Sequence, residues 1–350
     1  MQTRSSLGLI GICVLYPRHD LIKMRILWFG DNDVDFVRFG PNDIRFEEGI
    51  LKGFKAEKDE LRGTIRWIEG DYPIPDVIYL DGRVDLETVR IMEQAVGRKV
   101  FNSFIFDKLQ GQEFLKRDEM LSRHLPDACS ALEGNRPNPD LERFLRLHRN
   151  VYMKPTDGCS GKGIIRVKLD EGGQVLVSRF EHTESVTSYP CIQMWIAELK
   201  LTQNYIVQRT VSTVKWYGLP TDIRLNMTKN GVGEWDISFL ISRAALTGDY
   251  NKLNQYQMLL RRDFAHLFSS TKKSCEEIEA DIIKVGRRIC AFFDESDYHM
   301  GDLGIDLGVD EAGEIWIFEV NPLPYPYNMA IGDRSLVRPL EYARYLALQA

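Results

Sequence analysis

With 350 residues, 44% hydrophobic and 27% charged, the chain has the composition of a globular protein large enough to divide into two or three lobes. A net charge of −6 makes no electrostatic case for a nucleic-acid or anionic-membrane partner. Six dispersed cysteines without a CxxC pair, and six histidines without HExxH spacing, argue against a zinc site and a disulfide framework and point to a reducing, cytoplasmic setting.

Arg4 precedes an apolar run, Leu7–Tyr16, of signal-core length, but Pro17-Arg18-His19-Asp20 follows in place of a small-residue cleavage site. The run is read as a buried parallel strand. Nothing else approaches the ~20 apolar residues of a membrane span. Ile26–Phe29, Val77–Leu80 and Lys99–Phe101 read as further strands, with Pro73, Pro75 and Asp76 marking the start of the Val77 strand. Leu86–Val96 reads as a helix with Asp85 as its N-cap. Residues 1–105 are therefore expected to form a small α/β lobe with a parallel sheet.

Beyond it, Asp107–Arg123 reads as a helix, a break follows at Pro126, Pro137 and Pro139, and Asp140–His148 is again helical. Strands are expected at Asn150–Lys154, Ile164–Leu169, Val175–Phe180, Tyr205–Val211, Asp222–Thr228 and Trp235–Arg243. The last two are joined by a turn at Asn230-Gly231. Helices are expected at Asn251–Phe268, from the capping box Ser274/Glu277 to about Phe293, and at Leu336–Leu348.

Between two of those strands lies a glycine loop, Thr156–Gly163, with Gly158, Ser160, Gly161, Lys162 and Gly163. A Walker loop would end in Ser or Thr and open a helix, whereas Lys162 is followed by Gly163 and the β-rich run Ile164–Val167. Strand–glycine loop–strand describes a flap whose backbone N–H groups can close over phosphates, or a generous hairpin turn. Lys154 ends the preceding strand on the face of Tyr152, placed either for phosphate oxygens or to protect a sheet edge. Asp222 and Arg224 share a strand face. Strict alternation puts Arg243 with Trp235, Ile237, Phe239 and Ile241. A buried Arg needs a partner, which could be Asp222 or Asp306, or an anionic ligand.

Near the end, Leu303–Val309 and Glu314–Val320 alternate as an antiparallel hairpin around Asp310–Gly313. With a four-residue loop, Val309 faces Glu314, Asp306 faces Ile317, and Asp306, Glu319 and Asn321 share one face. Two carboxylates and an amide oxygen so close suit a hard cation such as Mg²⁺, with a salt bridge to a distant basic residue as the alternative.

Taken together these residues resemble the ATP-grasp superfamily from about residue 100 onward. The strongest signature is Glu319-Val320-Asn321-Pro322, with Asp306 upstream. Ile74–Tyr79, Phe101-Asn102, Phe106-Asp107-Lys108, Leu125-Pro126-Asp127 and Tyr342–Leu346 are similar to the YheC/YheD group of endospore coat-associated ATP-grasp proteins. That group usually has an Asn and a glycine pair where this chain reads Thr247–Leu253. The resemblance implies an ATP-grasp fold, α+β, after the N-terminal α/β lobe: residues 106–350, with a lid at about 150–210 and a metal-binding core at about 211–350. It implies ATP and Mg²⁺ (or Mn²⁺), the cation held by Asp306, Glu319 and Asn321. Lys108, Lys154, Ser160, Gly161, Lys162, Gly163 and Asp222 would contact the nucleotide, Val207 and Gln208 would lie on the adenine-binding hinge strand, and Arg224 and Arg243 would serve catalysis. The implied reaction forms an acylphosphate from a carboxylate-bearing small molecule or peptide and passes it to an amine or similar nucleophile. An ATP-grasp kinase, or a spore coat-associated protein that binds nucleotide without turnover, is the alternative.

Overall fold

The computed structural model describes residues 7–14, 19–30, 33–59, 62–158, 161–180, 184–201, 203–246, 256–326 and 334–349. At the centre of the first lobe, Leu9–Val14 pairs in parallel with Asp35–Phe39 on one side and Val77–Asp81 on the other. Val77–Asp81 pairs in turn, also in parallel, with Val100–Phe101. Covered on both faces, these strands are apolar almost throughout. Asp85 caps the Leu86–Val96 helix, accepting from the Thr88 N–H at 2.9 Å, as its position predicts.

Two readings of this lobe are corrected. Ile26–Phe29 is the last turn of a helix, His19–Phe29, whose buried Leu21, Ile22 and Ile26 follow helical spacing. A four-residue apolar run does not distinguish the two states. The lobe also carries an unforeseen antiparallel hairpin, Ile50–Asp59 with Thr64–Pro73, so Pro73 closes that hairpin. The C-terminal helix, Arg338–Ala347, returns to this lobe and packs Leu340, Tyr342 and Ala343 against Ile10, Ile12 and Tyr79.

The expected helix Asp107–Arg123 is two: Lys108–Leu115, opened by an Asp107/Gln110 capping box, and Glu119–Ser122, opened by Asp118. Asp118 starts the second by accepting from the Leu121 N–H, while Arg288 pairs with its other oxygen. A six-stranded antiparallel lid sheet follows, ordered Glu184–Tyr189, Val175–Phe180, Ile165–Leu169, Asn150–Pro155, Tyr205–Arg209, Ala128–Ser130. The first and last of these strands, and the helix Ile192–Glu198, were not foreseen. Val151, Met153, Val167, Val177 and Val207 bury one face against Leu141, Leu145 and Trp195.

The core sheet runs Tyr256–Leu259, Trp235–Ala245, Leu219–Lys229, Asp302–Val309, Ile315–Asn321. Its apolar face packs on the helix Cys275–Asp294, capped by Ser274 and Glu277 as expected. Gly286 lets that helix approach closely: a Cβ there would meet Leu225 Cδ2 at 2.4 Å. The expected helix Asn251–Phe268 is overturned. Tyr256–Leu259 is an edge strand paired with Ser242–Ala245, and only Phe264–Leu267 is α-helical; residues 251–255 lie outside the described residues. The Asn230-Gly231 turn is a five-residue loop, with the Asn230 N–H donating to the Glu234 carbonyl. Among the described residues no helix is long and apolar enough to cross a membrane.

Two bulges reset the core register. Asp306 pairs directly with Glu319, not Ile317, because the ladder shifts between Asp306 and Leu307 and the loop takes in Glu314. Opposite Asn226 and Met227 lie Phe239 and Ile237, so Ser238 is the extra residue. Arg243 therefore shares its face with Ile241 and Phe239, while Ile237 and Trp235 turn to the helix side.

Candidate functional site

A cavity of about 900 Å³ separates the polar faces of the lid and core sheets. Alternation on Asn150–Pro155 buries Val151 and Met153 in the lid and turns Tyr152 and Lys154 to the cavity. Lys154 Nζ donates to Gln208 Oε1 at 2.7 Å and lies 5.6 Å from the centre of the Phe318 ring. Burial pulls its pKa down, and the charge of Lys108 adds to that, against the opposing pull of Glu319. Lys108, at the start of its helix, donates to the Gly158 carbonyl and pairs with Glu319 Oε1 at 3.1 Å. It thereby links the flap to the core sheet.

On the core side, adjacent rungs bring Asp222, Arg243, Arg224, Asp306, Glu319 and Asn321 onto one face. Arg224 grips Asp306 with Nε and Nη2, at 2.7 and 2.8 Å. Arg243 grips Asp222 with the same two atoms, at 2.7 and 2.6 Å, and its Nη2 also reaches Asp306 Oδ1 at 2.7 Å. Asn321 Nδ2 donates to Asp306 Oδ2 at 3.0 Å. Burial pushes the Asp306 carboxyl up, but the charges of Arg224 and Arg243 outweigh it and hold the group below its usual range. Burial pushes Asp222 up, only partly offset by Arg243. Both sequence alternatives for Arg243, Asp222 and Asp306, are thus realised together. The salt-bridge alternative for Asp306 is realised too.

The chemistry of the donor set fits a hard cation: two carboxylates on directly paired residues and an amide one rung away. Opposite Asn321 stands Gly304, where a Cβ would come within 3.0 Å of Arg224 Nη1 and 2.8 Å of Pro324. No cluster of three or more His, Cys, Asp or Glu that could hold a metal ion occurs among the described residues.

Lys108, Lys154, Gly161, Lys162, Gln208, Asp222, Arg224, Arg243, Asp306, Glu319 and Asn321 all line the cavity. Ser160 lies outside the described residues, as does the Thr247–Leu253 departure. Gly163, at φ +72°, packs against Pro155 beside the cavity. Val207 has its side chain fully buried in the lid core, on a strand paired on both sides. The segment Arg209–Thr213 that follows forms the cavity wall instead. Arg166, Tyr256, Phe318 and Tyr325 also line it and were missed. Arg166 was findable, since Ile165, Val167 and Leu169 take the buried face of its strand. Tyr256 was hidden by the helical reading of its segment.

Two antiparallel sheets facing a basic cleft, beside an α/β lobe whose sheet is mixed rather than wholly parallel, define an ATP-grasp protein. The fold is shared with the D-alanine–D-alanine ligase from Coxiella burnetii: TM-score 0.56 at 10% identity, over 97% of this chain and 94% of that one. The chain belongs to the YheC/D-like ATP-grasp family, with the match running over residues 97–346. Among its relatives, the endospore coat-associated protein YheD of Bacillus subtilis (strain 168) is 24% identical, across 89% of this chain and 70% of that protein. YheC of the same organism is 21% identical, across 87% and 83%.

Proposed function

We propose that the protein is an ADP-forming, ATP-dependent carboxylate–amine ligase that binds Mg·ATP between its lid and core sheets. The observation that carries this reading is charge: eight Lys and Arg side chains line the cavity against three carboxylates, in a chain of net charge −6. Such a concentration of cations suits a polyanion. Lys154 and Lys108 would contact phosphate oxygens, and the Gly161–Gly163 backbone would cover them. Asp306, Glu319 and Asn321 would hold Mg²⁺ or Mn²⁺, which when bound neutralises phosphate charge. Arg224 and Arg243 would steady the transferring phosphoryl group and the acceptor carboxylate. No side chain is assigned as general base. The boundaries 1–105 and 106–350, with the lid at about 150–210, belong to the same proposal. So does the spore-coat association named for the two Bacillus relatives.

Purified protein, Mg·ATP and pooled amino acids and short peptides provide the test, with hydroxylamine added. ADP with a hydroxamate is expected, since hydroxylamine intercepts an acylphosphate. ADP with a stable phosphoester would identify a kinase, and bound ATP without products a non-catalytic protein. AMP with pyrophosphate would overturn the mechanism.

A further inference from the structure

On the polar face of the core sheet four side chains balance one another's charge, and Glu319 beside them is paired from outside the sheet by Lys108. Arg224, Arg243, Asp222 and Asp306 are two cations and two anions with side-chain exposures of 7, 4, 19 and 13%. The Asp306 carboxylate is also saturated. Its Oδ1 accepts from Arg224 Nε and Arg243 Nη2, and its Oδ2 from Arg224 Nη2 and Asn321 Nδ2. A carboxylate offers about four acceptor sites, so a metal ion can reach Asp306 only if a donor leaves. A dication added to this quartet would also leave two uncompensated positive charges in a half-closed site. Entry of the cation thus needs both a departing donor and an arriving anion.

The two arginines differ in what they can give up. Arg243 keeps its two-pronged hold on Asp222 whatever happens at Asp306. Arg224 commits its Nε–Nη2 edge to Asp306. Both line the cavity, so an anion entering it lies within reach of either. We infer that Arg224 is the resident counter-ion of Asp306, standing where a cation would bind and exchanging onto an anionic oxygen of the incoming nucleotide. Divalent cation and nucleotide then bind as a coupled pair, and the cation alone binds poorly. This inference rests on the proposed Mg·ATP reading, and the experiment separates the two.

Equilibrium dialysis of Mn²⁺ against the protein, with and without a non-hydrolysable ATP analogue on both sides, measures the coupling directly. Wild-type protein should retain Mn²⁺ about tenfold or more tightly with the analogue than without it. Arg224→Met should raise analogue-free Mn²⁺ affinity by about tenfold, because a positive charge that repels the cation and occupies the carboxylate is gone. Adding Asp306→Asn should abolish that gain. A folded Arg224→Met with unchanged Mn²⁺ affinity, or a gain that survives Asp306→Asn, overturns the counter-ion role while leaving the Mg·ATP reading intact. If Arg224→Met does not fold, the wild-type pair decides: equal Mn²⁺ affinity with and without the analogue overturns the inference. No retained Mn²⁺ under either condition sinks the Mg·ATP reading and the inference together.

Discussion

The two sheets face one cavity with basic side chains held in different ways. On the lid, Lys154 has a neutral acceptor, Gln208, and an aromatic neighbour, Phe318, and burial already lowers its pKa. On the core sheet, Arg224 and Arg243 are each held in two-pronged ion pairs. The lid thus carries charge that an anion would satisfy. The core carries charge satisfied in advance, whose removal from either side leaves a buried ion alone. Lid substitutions should therefore register in ligand affinity, and core substitutions in stability as well.

The largest expected effect breaks the core quartet. Asp306→Asn leaves two buried guanidinium groups short of a carboxylate, and loss of one partner of such a pair costs about 3–5 kcal/mol. Denaturant unfolding should show it, along with lost turnover; an unchanged midpoint would mean the quartet is not held together by charge. Next is Lys154→Met, which keeps the stem and removes the charge. ATP affinity should fall about tenfold or more, since a charge-assisted contact is worth about 1.5–3 kcal/mol. Stability should hold or rise as a desolvated ammonium disappears. Intact nucleotide affinity with lowered stability would reverse the contrast between the sheets.

Glu319→Gln should be milder, because Glu319 is 22% exposed and its partner Lys108 also bonds the Gly158 carbonyl. Calorimetry should find weaker Mg·ATP binding in a protein that still folds. Unchanged binding and turnover would remove Glu319 from the cation's ligands. A smaller effect concerns the flap: hydrogen exchange at 156–158 and 161–164 should slow when Mg²⁺ and an ATP analogue are added. Equal rates would make this segment an ordinary hairpin turn.

An effect absent at neutral pH lies away from the cavity and serves as a control on both sheets. His299, against Ser103 and Tyr342, has its pKa lowered by burial to about 4. Its unfolded value near 6.5 is higher, so the unfolded chain binds the extra proton. Stability should be full above about pH 6.5 and decline toward pH 4, by at most about 1.4 kcal/mol per pH unit. His299→Gln should flatten the thermal-unfolding profile across that window, and a slope unaltered by the substitution would assign it elsewhere.

The elements legible in the sequence were those with local causes. Capping residues placed Leu86–Val96 and Cys275–Asp294, and period-two alternation placed the final hairpin and the cavity face of Lys154. The acidic and amide residues of the hairpin were legible as one face. The segments Ile26–Phe29 and Asn251–Phe268 failed because short apolar stretches suit helix and strand alike, and neighbours in space choose between them. Register was a tertiary decision too. One extra residue on Ile315–Asn321 makes Asp306 the direct partner of Glu319, and one at Ser238 turns Arg243 away from Ile237. The sequence alone established that Asp306 needs a positive partner. It could not choose between metal and arginine, because Arg224 lies 82 residues away and reaches Asp306 only through strand pairing.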